Sequence, residues 1–245
     1  MVEPLGDWGM RLAWVCRAWC DRRARHSVLV LGDSHVRVFE HWWFMWSLPQ
    51  VRWDIVYVPG GTAAGLPNPN AATQARSRFE QALATAAHDL VLLNLGEVDT
   101  GYNVWMRAAR QQADPRLLME QAAKRYTDFI ERVAARHRLV VIGAPLPTLA
   151  DDFVPGDDVG STRKQVTQSQ AERTALTLAF NEQVGAACAR LGVPHLDDRS
   201  ASLGPGGVVR ASWQRMGRAD HHYDRKTYAR WLACALRPYI PADPA

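Results

Sequence analysis

The feature that most constrains this chain is a series of short, unbroken apolar runs. Ser27-Val28-Leu29-Val30-Leu31 is the first; others lie at Asp54–Val58, Leu90–Leu95 and Leu139–Gly143, with a weaker one at Val193–Leu196. Runs this short, rich in β-branched residues and leucine and lacking polar alternation, suit strands buried on both faces, as in a parallel sheet. Between them the apolar spacing changes to three and four. Residues 72–87, 115–136, 169–191 and 225–236 carry apolar side chains at helical intervals with charges opposite. Strands alternating with helices make βαβ units, with right-handed crossovers and helices on both faces of the sheet. The expected fold class is α/β, a three-layer α/β/α sandwich with about five parallel strands.

A chain of 245 residues suits one large domain. No repeat, low-complexity tract or linker divides residues 27–240. Ahead of them, Trp8, Leu12, Val15, Cys16 and Trp19 recur at helical spacing among arginines, so residues 1–26 are expected to form a helix packed on the domain. The proline- and glycine-bearing stretch 145–168 reads as a long loop over the sheet.

Composition excludes several classes. At 47% apolar the chain is too hydrophobic for disorder. Lys+Arg 29 against Asp+Glu 25 leaves +4, too small an excess to imply a nucleic-acid partner. No segment reaches the roughly 18 uncharged apolar residues of a membrane span. Asp7 and Arg11 interrupt the apolar layout of a secretory leader, so a cytoplasmic location is expected. Cys16, Cys20, Cys188 and Cys234 form no metal-type pair of pairs and are expected to be reduced thiols, mostly buried.

Ligands of such sheets bind beyond the carboxyl ends of the strands, so the residues after each apolar run carry the chemistry. Gly32-Asp33-Ser34-His35 follows the first run. Pro59-Gly60-Gly61-Thr62 follows the second, Gly96-Glu97-Val98-Asp99 the third, and Asp220-His221-His222 lies just before the last helical stretch. Ser34 is either a helix cap or a nucleophile, and as a nucleophile it would have its own N–H and that of His35 available to an anion. A neutral histidine near Ser34 would take its proton, and a carboxylate would orient that histidine. The glycine loop supplies bare N–H donors, and the spacings of dinucleotide and phosphate loops are absent. Glu97 reads either as a substrate carboxylate or as a loop residue paired with an arginine. Asp99 reads as a brace that accepts backbone N–H bonds.

In this order the pieces resemble the four blocks of the GDSL-type or SGNH hydrolase family, over residues 28–237. Gly32-Asp33-Ser34-His35 is similar to its first block, with His35 in place of the usual leucine. Gly60-Gly61-Thr62 is similar to the second, Gly96-Glu97-Val98-Asp99 to the third (Gly-x-Asn-Asp), and residues 219–224 to the last (Asp-x-x-His). The resemblance implies a flavodoxin-like sheet and a catalytic set of Ser34 as nucleophile, His222 as base, with His221 the alternative, and Asp220. It places an oxyanion hole and substrate contacts among Ser34, His35, Gly60, Gly61, Gly96, Glu97 and Asp99. Two positions depart from it. Val98 stands where the family has its donor asparagine, and Asp220 precedes His222 by two residues instead of three.

The implied activity is that of a serine esterase or deacylase acting on an O-acyl group such as acetyl, on a small-molecule or saccharide ester, with no cofactor, no metal and no nucleic-acid partner. An acyltransferase using the same acyl-serine is the alternative within that chemistry, and a binding module that keeps the fold is the alternative outside it. A metal site built from His35, His221, His222 and Asp99 is a third reading. Arg37, Arg107 and Arg110 fall near the active edge, where they would meet an anionic substrate or simply water. Of the ten tryptophans, Trp42 and Trp46 share a helical face expected to pack on the sheet, which leaves Trp43 free, and Trp105 falls where it could line the cleft.

Overall fold

A computed structural model describes residues 24–85, 87–154, 158–216 and 220–240. The expected N-terminal helix, with Cys16 and Cys20, lies outside them. Five strands, β1 (His26–Gly32), β2 (Val51–Tyr57), β3 (Leu90–Asn94), β4 (Leu139–Ile142) and β5 (His195–Leu196), form one sheet in the order β2-β1-β3-β4-β5. Every pairing is parallel. The helices are α1 (Trp42–Ser47), α2 (Ala75–Thr85), α3 (Val104–Gln111), α4 (Pro115–Ala134), α5 (Asp158–Arg163), α6 (Gln170–Leu191) and α7 (Arg225–Leu236). A 3-10 helix, Ser34–Glu40, leads from β1 toward α1.

Alternate strand residues feed two cores. Leu29, Leu31, Val91, Leu93 and Val141 pack with α2, α4 and α6 on one face. Val28, Val30, Leu90, Leu92, Val140 and Ile142 pack with α1 and α7 on the other. Both faces are therefore desolvated, each buried aliphatic side chain contributing about 1.5–3 kcal/mol. That is why the strands show continuous apolar runs in place of alternation. The crossover after β1 runs over one face and the crossover after β2 over the other. The strand order therefore reverses between β1 and β3, and a crevice opens at their carboxyl ends.

Caps set the helix boundaries near the crevice. Ser169 and Glu172 form a reciprocal capping box at the start of α6, and Asp224 accepts the Thr227 N–H at 2.9 Å to begin α7 directly after the histidine pair. At the end of β1 a Cβ on Gly32 would lie 2.3 Å from the Asn94 carbonyl oxygen, so only glycine lets β3 approach that closely. The Asn94 side chain, buried, donates to the Ile142 and Gly143 carbonyls at 3.1 and 2.9 Å and ties β3 to the end of β4.

Two expectations are corrected. The helix after Ser34 breaks at His41, whose extended backbone (φ −71°, ψ 135°) resets its phase. Phe44 therefore takes the core position, fully buried, while Trp42 and Trp46 stand 52% and 71% exposed. The 145–168 stretch contains the short helix α5. Of the two cysteines described, Cys188 is buried and Cys234 exposed. Among the described residues no helix is long and apolar enough to cross a membrane.

Asn94→Ala leaves two buried carbonyls without their donor and is expected to destabilise the fold by about 1–3 kcal/mol in urea unfolding, with an unchanged m-value.

Candidate active site

Ser34 is the first residue beyond the turn that ends β1. Asp33 Oδ1 accepts both the backbone N–H of His35, at 2.9 Å, and His35 Nδ1–H, at 2.8 Å. The His35 N–H is thereby taken, so it is not available to an anion; that of Ser34 carries no hydrogen bond among the described residues.

The last loop meets Ser34 from α7. Asp220 Oδ1 accepts the His222 N–H at 2.9 Å and His222 Nδ1–H at 2.7 Å, while Arg215 binds the other carboxylate oxygen. A carboxylate only accepts, so the His222 proton sits on Nδ1, and Nε2 is left as an acceptor. Ser34 Oγ lies 2.9 Å from that nitrogen. The missing residue of the Asp-x-x-His spacing is absorbed locally, because one carboxylate oxygen closes the turn and orients the ring together. Thr148 donates to the Asp220 carbonyl at 2.6 Å, and the buried Tyr223 hydroxyl accepts the Leu146 N–H at 2.6 Å, so the loop is anchored on both sides of the histidines.

Burial lowers the pKa of His222, and the Asp220 carboxylate only partly reverses this, so the ring is neutral at pH 7. Burial would raise that of Asp220, but the His222 and Arg215 hydrogen bonds hold it well below the usual carboxylate range. His221 is pushed down to about 3 by burial, and its Nδ1 lies 4.0 Å from Asp220 Oδ1. The structure brings His222, and not His221, to Ser34.

The third-strand segment acts mainly behind the site. Gly96 has φ +124°, and a Cβ there would lie 2.4 Å from the Phe180 ring, so its contribution is close packing. Glu97 is fully buried and forms a two-pronged ion pair with Arg163 of α5, both bonds 2.6 Å. Burial would raise its pKa, and the guanidinium holds it down at about 2. Asp99, fully buried, accepts the Ala63 and Ala64 N–H groups at 2.7 and 3.0 Å and so braces the glycine loop, while burial lifts its carboxyl to about 7. Within that loop the Gly61 N–H is bonded to the Val58 carbonyl at 2.9 Å, which removes it as an oxyanion donor. The Gly60 N–H has no partner among the described residues. Val98 offers no side-chain donor.

Asp220, His221 and His222 each offer an atom within 4.8 Å of the others. A metal there would have to displace bonds already made, since both His222 nitrogens are engaged, and Asp99 faces the glycine loop instead. Arg37 is held by Glu40 at 3.3 Å and lies over the Tyr57 ring, and the Trp105 indole N–H is bonded to the Thr100 carbonyl at 2.6 Å.

No family model matches the sequence, and no curated protein matches it. Solved structures do. An acetyl xylan esterase aligns at TM-score 0.51 and 13% identity over 88% of this chain and all of its own. A putative arylesterase from Agrobacterium tumefaciens aligns at TM-score 0.54 and 16% identity, again over 88% of this chain and all of its own. An acetylxylan esterase from Geobacillus stearothermophilus aligns at TM-score 0.53 and 11% identity, over 90% of this chain and 98% of its own. The chain shares the fold of these esterases. At such identities the likeness is one of architecture.

Four site residues escaped the sequence reading: Asp33 as the partner of His35, Arg163, Arg215 and Thr148. The signal for the first was present, since Asp33-Ser34-His35 and Asp220-His221-His222 repeat one Asp-x-His pattern. Nothing in the sequence marks which arginine of a proline-rich loop turns inward.

Removing one member of a buried ion pair strands the other. Glu97→Leu is expected to cost about 3–5 kcal/mol in chemical unfolding, and adding Arg163→Leu should recover part of that loss.

Proposed function

We propose that the chain is a serine esterase that removes a small O-acyl group, of acetyl size, from a carbohydrate or other alcohol through an acyl-serine. The observation that carries the reading is the continuous hydrogen-bond chain from Ser34 Oγ through His222 to Asp220. Acetyl xylan esterases among the proteins that share the fold support the acyl size and the carbohydrate.

In this mechanism Ser34 Oγ attacks the ester carbonyl while His222 Nε2 takes its proton, and Asp220 steadies the imidazolium that forms. The Ser34 and Gly60 N–H groups receive the oxyanion. The tetrahedral intermediate collapses as His222 gives the proton to the departing alcohol. Water, deprotonated by the same nitrogen, then releases the carboxylic acid and restores Ser34.

One observation favours a second reading. Val98 removes a donor whose loss costs on the order of 10²–10³ in turnover in known enzymes. The same loss would slow attack on the acyl-serine by water and by a sugar hydroxyl alike, so it favours a module that keeps the framework and only binds, while transfer uses the same acyl-serine as hydrolysis. Product analysis with sugar acceptors separates transfer from hydrolysis. Stoichiometric labelling of Ser34 by a fluorophosphonate excludes the binding module.

Ser34→Ala is expected to lower kcat on nitrophenyl acetate by on the order of 10³-fold or more, and full retention of rate would overturn the proposal. The depressed His222 sets the acid limb. Because the base works unprotonated, kcat/KM should fall as pH drops, with a midpoint below histidine's ordinary value of about 6.5.

A further inference from the structure

The two Asp-x-His segments at this edge are built alike and face each other. In each, one carboxylate oxygen accepts the N–H and the Nδ1–H of the histidine two residues on. Each histidine then turns its Nε2 to the middle residue of the opposite segment. His222 Nε2 lies 2.9 Å from Ser34 Oγ, and His35 Nε2 lies 3.1 Å from the His221 carbonyl oxygen. The two rings are 4.6 Å apart between centroids. The proposed chemistry uses the His222 half of this exchange and leaves the His35 half unexplained.

The partners of His35 fix its state. A carboxylate faces Nδ1 and a peptide carbonyl faces Nε2, and neither can donate. Both ring nitrogens must therefore carry protons for both contacts to hold. The side chain is 1% exposed, so it does not reach a substrate, and Asp33 Oδ2 is buried with no other partner. Glu97 Oε2, itself paired with Arg163, stands 3.9 Å from Nε2 and completes the compensation of a buried cation.

We propose that His35 is a positioning residue, whose doubly protonated ring clasps the His221 peptide to Asp33 and so holds Asp220 and His222 in register with Ser34. The inference rests on the esterase reading for its rate effects, though the clasp itself does not. Burial would lower the pKa of His35, but the Asp33 carboxylate overrides it, with Glu97 and the His221 carbonyl adding to the effect, and the value rises to about 9. With its folded value raised, the stabilisation from the charged ring is complete below about 6.5 and is lost as pH rises through about 9. Once neutral, the ring turns a lone pair toward either the Asp33 carboxylate or the His221 carbonyl, and the clasp opens. The groups facing it are Asp33 and Glu97, with the His222 ring at 4.6 Å and the His221 ring at 5.9 Å.

On nitrophenyl acetate, His35→Leu should lower kcat about 10- to 100-fold with KM little changed, the loss expected for one hydrogen bond to a charged group. Its acid limb should move to higher pH, because the cation opposing His222 protonation is gone while the Asp33 carboxylate remains. His35→Gln keeps a donor for the His221 carbonyl without the charge. It should recover kcat to within about fivefold of wild type and lack the alkaline fall near pH 9. Wild-type kcat and an unmoved acid limb in His35→Leu would overturn the proposal. A second measurement does not depend on catalysis. In Ser34→Ala protein, nitrogen NMR of the imidazoles should find both His35 nitrogens protonated at pH 7, and a neutral His35 there would equally overturn it. Should Ser34→Ala hydrolyse as fast as wild type, the esterase reading fails while the NMR result still decides the clasp.

Discussion

Buried charge has to be paired, and at the carboxyl edge of this sheet that requirement dictates how the loops lie. Asp33, His35, Glu97 and Asp99 are each at most 4% exposed, and Arg163 is only 8% exposed. An unpaired charge so placed costs several kcal/mol. Asp33 therefore holds His35, Glu97 holds Arg163, and Asp99 takes the amides of the glycine loop. The Glu97 and Asp99 pairings join segments far apart in sequence, and Glu97 Oε2, 3.9 Å from His35 Nε2, brings the Asp33–His35 pair into the same set. Together they link the ends of β1 and β3, the glycine loop after β2, and the α5 segment after β4. The strands supply the platform, and these charges determine what stands on it.

The same burial separates the protonation states of groups that are close neighbours. His35 and His222 lie 4.6 Å apart, yet one is held charged and the other neutral. The difference comes from what their Nε2 atoms face. A carbonyl opposite His35 demands a proton on that nitrogen, whereas the Ser34 hydroxyl can donate and so lets His222 remain a base. A charged ring beside a base also opposes its protonation, so the two states reinforce one another. Arg215 contributes from outside by keeping Asp220 ionised and aimed at Nδ1.

The architecture was legible because period and length are local properties. Five apolar runs and the helical stretches between them recover every strand position and the three layers. Strand ends shift by a few residues: β2 begins at Val51 because its pairing with β1 extends to His26. Ser34, Asp220 and the histidine pair were legible because they follow apolar runs or precede a capped helix. What stayed hidden depends on tertiary geometry. The phase reset at His41 turned Trp42 and Trp46 outward, the Val58 carbonyl took the Gly61 N–H, and a buried glutamate drew one arginine out of a loop. Choosing between His221 and His222 needed the turn closed by Asp220, which spacing alone does not reveal.

Val98, which offers no side-chain donor, bears on what the buried charges are for. Were they to act as an oxyanion donor in the proposed reaction, the edge would carry an excess of positive charge near Ser34. It does not, because Asp33 and Glu97 balance His35 and Arg163 one for one. A chain of alternating charges has a short-ranged field and little net pull on a developing alkoxide. Its effect is mechanical, in holding peptides at fixed separations. In the proposed reaction, stabilisation of the oxyanion would fall to the backbone N–H groups of Ser34 and Gly60, whose aim depends on how rigidly Asp33 and Asp99 hold their loops. Positional accuracy at two amides would, in that proposed reaction, take the place of a third donor.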